Sequence, residues 1–214
     1  MKFEKKIDHL IFDFDGTISD SYPLFVRFVH EIADECGFRV PCDDETLYRS
    51  LKVSWGKCYE TIGGEQICEH AFLMHAMHQK QAQYEKEFSI FPEARDLLIA
   101  AKEKGIHNHI YTHSGPVVKN ILSNMGVLEL FDFILDSSYG FPSKPAPDAL
   151  LFFLDKFGLD PKTCIMIGDR PIDAYAGMNA GMYGCLWDQD SLFADTQVDL
   201  YIKELSELQQ ILQL

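Results

Sequence analysis

Asp13 and Asp15 lie one residue apart at the end of a short apolar run, Leu10-Ile11-Phe12-Asp13-Phe14-Asp15-Gly16-Thr17. Two carboxylates so near one another repel unless a cation joins them or one keeps a proton. The run is brief, aromatic and β-branched, and it stops at a turn signal, so it predicts a buried strand. On a strand, residues two apart face the same side. Both acids therefore start on one side of a sheet's carboxyl edge, unless the turn at Gly16 re-aims the second. Taken alone, the pair is equally a solvated strand end with a capping aspartate.

Three later stretches carry groups suited to the same chemistry. Thr112 closes the run Ile110-Tyr111-Thr112-His113-Ser114-Gly115, and a helix is predicted to begin at Val117. A helix N-terminus there favours an anion, while the threonine on its own also suits a helix cap. Lys144 stands in Ser143-Lys144-Pro145-Ala146-Pro147-Asp148, fixed between turn residues ahead of a helix. Such a lysine can aim a point charge at a transferring phosphate, although a surface position is the commoner fate. Asp169 and Asp173 belong to Ile167-Gly168-Asp169-Arg170-Pro171-Ile172-Asp173. Gly168 permits a tight turn, and Asp173 falls in the first turn of a helix, as metal partner or as cap.

Elements of two kinds must position these groups. From Tyr22 to about Ser89 the chain reads as helix after helix: one over 22–36 stopped by Gly37, one over 45–59, and a long one over 65–87 beyond Gly63-Gly64. After Phe91-Pro92 the pattern alternates. Helices over 93–104, 117–125, 148–157 and 172–180 separate strands over 107–112, 133–135, 163–167 and 183–187, and 203–214 closes the chain as a helix. Strands alternating with helices predict parallel pairing with right-handed crossovers, and ligands in such sheets sit beyond the carboxyl ends of the strands. Asp13, Thr112 and Asp169 all fall at that end. The reading is an α/β core with a Rossmann-like parallel sheet, formed by 1–18 plus 90–214, and an inserted helical segment over 19–89.

Composition bounds the partners. The chain has 214 residues, is 47% hydrophobic and 24% charged, and carries a formal net charge of −14. That is an ordinary globular composition with room for a sizeable core. The negative charge makes nucleic acid a poor partner, but a local cation can still reverse the field for a small anion. Six cysteines at 36, 42, 58, 68, 164 and 185 form no Cys-x-x-Cys pair and suggest reduced thiols of a cytoplasmic protein. Residues 1–8 are charged and carry no long apolar region, so no signal peptide is expected, and no run approaches a membrane span. His70, His75 and His78 share the helical segment, yet no further ligands complete a zinc site, and a solvated helix face is the better reading.

The acid stretch matches Asp-x-Asp-Gly-Thr, the opening motif of the haloacid dehalogenase-like hydrolases, and resembles their phosphatase branch. Thr112, the Lys-Pro-x-Pro-Asp stretch from Lys144 and the Gly168-Asp169…Asp173 stretch resemble the family's later motifs, in order, so the resemblance spans nearly the whole chain. It is nearest, in a general way, to phosphoglycolate phosphatases. The helical insertion matches the cap that family members carry between their first and second motifs.

The resemblance implies the roles. Asp13 is the nucleophile that forms an aspartyl-phosphate and, with the backbone carbonyl of Asp15, Asp169 and Asp173, binds Mg2+. Asp15 is the general acid and base, and its presence favours phosphate over a haloacid. Gly16, Thr112, His113 and Lys144 line the phosphoryl group. In the cap, Arg49, Lys52, Trp55 and Lys57 form a basic and aromatic cluster, from which Arg49 meets an anionic substrate or faces solvent. The expected activity is Mg-dependent hydrolysis of a small organic phosphate monoester by a monomer or homodimer. A sugar phosphomutase of the same fold is the alternative, with a non-enzymatic phospho-acceptor behind it.

Overall fold

In the computed structural model, which describes residues 3–214, the alternating half of the chain forms one six-stranded sheet. The strands are β1 (His9–Phe12), β2 (His107–Tyr111), β3 (Phe133–Leu135), β4 (Cys164–Gly168), β5 (Tyr183–Trp187) and β6 (Leu200–Ile202). Their order is β3-β2-β1-β4-β5-β6, and every pairing is parallel. This is the doubly wound order, in which the direction of winding reverses beside β1. β4 (Cys-Ile-Met-Ile-Gly) and β5 (Tyr-Gly-Cys-Leu-Trp) are buried along their whole length, as near-continuous apolar strands covered on both faces should be. The helices that return the chain are α5 (Pro92–Glu103), α6 (Val117–Asn124), α7 (Asp148–Phe157) and α8 (Pro171–Asn179), with α9 (Leu205–Leu212) last.

Two close approaches require glycine. A Cβ on Gly177 of α8 would lie 2.5 Å from the Met166 side chain of β4, and one on Gly184 of β5 would lie 2.4 Å from the Ala174 carbonyl of α8. α8 therefore packs closely on the middle of β4 and on β5.

The chain divides into two compact units. The sheet unit comprises Ile90–Leu214 with the chain up to Ser19, and the second is Asp20–Ser89. Within the second unit, α1 (Tyr22–Glu35) packs against α2 (Asp44–Val53) and α4 (His70–Gln83), and α2 against α3 (Trp55–Thr61). The expected single helix over 45–59 is two helices. Ser54 is fully extended between them, and its hydroxyl accepts the Lys57 N–H at 2.9 Å as an N-cap. The expected helix over 65–87 begins only at His70, behind a short 3-10 turn over Gly64–Gln66. β6 was not expected. Its three residues, Leu200-Tyr201-Ile202, are too few for a readable alternation, and pairing with β5 makes the strand. All six cysteines are free, and among the described residues no helix is long and apolar enough to cross a membrane.

Candidate active site

Asp13 follows β1 directly and continues its ladder, its N–H bonded to the Ile167 carbonyl at 2.8 Å. Gly16 then takes φ +79°, which side-chain-bearing residues rarely adopt, and its N–H bonds Ser19 O at 2.8 Å. This tight turn separates the two acids. Asp13 turns to Lys144, and Asp15 accepts from Ser114.

Lys144 lies in the loop between β3 and α7, and it is a buried residue rather than a surface lysine. Its Nζ donates to Asp13 Oδ1 at 2.6 Å and to Asp173 Oδ1 at 2.8 Å, with all three side chains almost wholly buried. The face of Tyr111 lies 4.6 Å from the same nitrogen, a cation–π contact between buried side chains. Burial works against the lysine's charge, but Asp13 and Asp173 outweigh it and hold its pKa above the ordinary value.

Asp169 follows β4, and Asp173 lies in the first turn of α8. A Cβ on Gly168 would lie 2.3 Å from the Asp173 Cβ, so glycine is what lets that carboxylate fold back over the strand end. Asp173 Oδ2 accepts the Arg170 N–H at 3.2 Å. One Asp173 oxygen thus caps the helix while the other accepts from Lys144. Burial pushes its pKa upward, yet Lys144 and Arg170 prevail and keep it low. For Asp13 burial prevails, aided by Asp173, and raises the carboxyl above its usual range.

Asp13, Asp169 and Asp173 have carboxylate oxygens within 4.8 Å of one another, the one cluster among the described residues with the spacing of a metal site. Asp13 Oδ2 is buried without a hydrogen-bond partner. Three buried carboxylates facing one lysine leave excess negative charge, which a divalent cation balances. The donor set therefore fits a hard, oxygen-seeking ion such as Mg2+.

Thr112 is not a helix cap, because α6 begins beyond Pro116. Its Oγ1 accepts the Ser114 N–H at 3.0 Å, which leaves its own O–H free to donate. His113 Nε2 accepts the Lys144 backbone N–H at 3.0 Å. Three contacts were not anticipated from sequence. Ser114 Oγ donates to Asp15 Oδ2 at 2.6 Å, the Tyr111 ring faces Lys144, and Thr17 Oγ1 lies 3.5 Å from Asp169 Oδ1. The only sequence signal for the first two is their place beside Thr112.

The structure thus brings Asp13, Asp15, Thr112, His113, Lys144, Asp169 and Asp173 together at the carboxyl ends of β1, β2 and β4. A profile of the haloacid dehalogenase-like hydrolases matches residues 10–199, which contains all of them. The chain belongs to that family. Among its relatives, the pyrophosphatase PpaX of Bacillus velezensis is 27% identical over 83% of this chain and 82% of its own. A phosphoglycolate phosphatase of Vibrio cholerae is 25% identical over 84% and 83%. A crystal structure described as a predicted phosphoglycolate phosphatase from Haemophilus somnus superposes with a TM-score of 0.80 at 18% identity, covering 97% of this chain and 99% of that one. That last likeness is one of fold.

In the helical unit, Arg49 is exposed and pairs with Glu45 one turn back at 2.6 Å, and Lys57 pairs with Glu60 at 3.3 Å. The buried cation of α2 is Lys52, between the rings of Tyr22 and Tyr48 at 5.7 and 5.6 Å.

Proposed function

We propose that this hydrolase is a Mg-dependent phosphatase that cleaves small organic phosphate monoesters through an aspartyl-phosphate on Asp13. One observation carries the reading. Lys144 holds Asp13 by Oδ1 alone, and the buried Oδ2 has no hydrogen-bond partner. A nucleophile needs one fixed oxygen and one with an available lone pair.

Asp13, Asp169, Asp173 and the backbone carbonyl of Asp15 would hold the ion, which supplies positive charge against the repulsion between carboxylate and phosphate. In the first step Asp13 Oδ2 bonds to phosphorus while the bond to the leaving oxygen breaks, and Asp15 gives that oxygen a proton. Water then attacks phosphorus, Asp15 takes its proton, and inorganic phosphate leaves with Asp13 restored. Lys144 and the Thr112 hydroxyl meet the non-bridging oxygens, and the Ser114 hydroxyl aims Asp15. The positive φ of Gly16 supports a role in shaping the turn around the phosphoryl group. The helical unit takes the part of a cap, within which Arg49 and Lys52 are the candidates for substrate choice.

The test is phosphate release from a panel containing 2-phosphoglycolate, pyrophosphate, hexose monophosphates and p-nitrophenyl phosphate. The first two follow the names of the relatives. Turnover in Mg2+, abolished by chelator, is the expected result and names the substrate. No release from any of them, together with isomerisation of a hexose phosphate that needs a bisphosphate activator, would replace this reading with the mutase.

A further inference from the structure

Lys144 spans two buried carboxylates only because the loop that carries it sits at one height above the sheet. Main-chain bonds do little to set that height. The nearest is Ala146 N–H to Ser143 O at 3.1 Å, a bond within the loop itself. Two side chains do the anchoring instead. Asn179 of α8 donates to the Pro145 carbonyl at 2.9 Å, and His113 Nε2 accepts the Lys144 N–H at 3.0 Å.

His113 is well placed for this. It follows Thr112, so the same turn that aims the threonine hydroxyl fixes the ring. Tyr111 meets the ring edge-on, with centroids 6.3 Å apart at 90°, and turns its own face to the Lys144 ammonium. An imidazole nitrogen that accepts a hydrogen bond carries no proton, so the ring is the neutral form protonated at Nδ1. Burial first, then the charges of Lys144 and Arg170, lower its pKa to about 4, so this form persists through neutral pH.

We propose that His113 is a positioning residue, not a substrate contact: by accepting the Lys144 N–H it locks the lysine loop to the Thr112 turn and so holds Nζ on Asp13. It couples two halves of the phosphoryl site that lie on separate chain segments. An acceptor at this point is what the lysine requires, and no charge on the ring is needed.

The kinetic test rests on the phosphatase reading and uses three variants of the full chain. His113→Phe keeps a ring of similar size without an acceptor, His113→Ala removes both, and His113→Gln places an acceptor oxygen near the position of Nε2. Phe and Ala are expected to lower kcat about ten-fold with KM nearly unchanged, and Gln to recover most of the loss, as for one lost hydrogen bond that acts through geometry. Unchanged kcat in His113→Phe, or a rise in KM alone, would overturn the proposal. A second readout needs no substrate. Long-range 1H–15N spectra at neutral pH should show His113 protonated at Nδ1 only, and a proton on Nε2 overturns the proposal. If the wild-type chain hydrolyses nothing, the phosphatase reading fails while this readout still decides the role of His113.

Discussion

The two ends of the same sheet bury titratable groups in opposite ways. At the carboxyl end, Lys144 is taken out of water between Asp13 and Asp173, with the Asp169 carboxylate beside them. At the amino end, β1 and β2 present three histidines on one face. His9 lies opposite His107 in the strand register, and its Nδ1 is 3.1 Å from His109 Nε2. The rings stack at 5.0 to 6.4 Å, His107 pairs with Asp132, and Phe153 packs edge-on against His109. Burial, with help from His9, pushes His109 down to about 3, and burial likewise lowers His9. One end holds its charges beside opposite charges, while at the other burial favours the neutral rings of His9 and His109. Chemistry belongs to the first, because there a cluster of carboxylates with metal-site spacing sits at the strand ends where ligands bind in such sheets.

The largest effect that tests this contrast is expected at Lys144. Lys144→Met leaves two buried carboxylates without their cation, and kcat should fall on the order of 10³-fold, measured by phosphate release with Mg2+ in excess. A loss below ten-fold would mean that the lysine is structural, like the histidines. At the amino end the effect is on stability and follows pH. The His109 pKa is depressed in the fold, so the unfolded chain binds a proton near pH 6.5 that the native ring refuses until about pH 3. Stability is therefore full above the unfolded value and falls with pH below it, by roughly 1 kcal/mol per pH unit. Urea unfolding at pH 7 and pH 5 measures this. His109→Phe, which suits the surrounding aromatic rings, should flatten the acid limb and leave activity at pH 7 unchanged. Equal acid sensitivity in that variant would place the linkage elsewhere. The smallest effect is at Ser114→Ala, which removes the hydroxyl from Asp15 and should lower kcat about ten-fold with little change in stability. Unchanged kcat would show that Asp15 needs no such support.

The sequence exposed the sheet more fully than the contacts between its loops. Short apolar runs separated by amphipathic helices announce a parallel sheet, and glycine is needed at Gly16 for its positive φ and at Gly168 for the approach of the Asp173 side chain. The acids and Lys144 were legible through fixed spacing within single stretches. Ser114, Tyr111 and the loop-binding side of His113 were not, because their partners lie 99, 33 and 31 residues away or more and only the fold brings them together. Ser54 and β6 failed for a local reason. An extended residue inside a helical pattern and a three-residue strand leave too short a trace for periodicity to register. Arg49 stood out by type, yet burial on α2 falls to Lys52, three positions on.

The central claim is that Asp13 forms the covalent bond to phosphorus. The direct measurement compares phosphate release by wild type and Asp13→Asn on the same substrate in Mg2+, with the acid-quenched enzyme analysed by mass spectrometry. Wild type should carry a phosphoryl group on the peptide containing Asp13. The variant should lack it and lose activity by a factor on the order of 10⁴ or more. Turnover in Asp13→Asn within ten-fold of wild type would contradict the account.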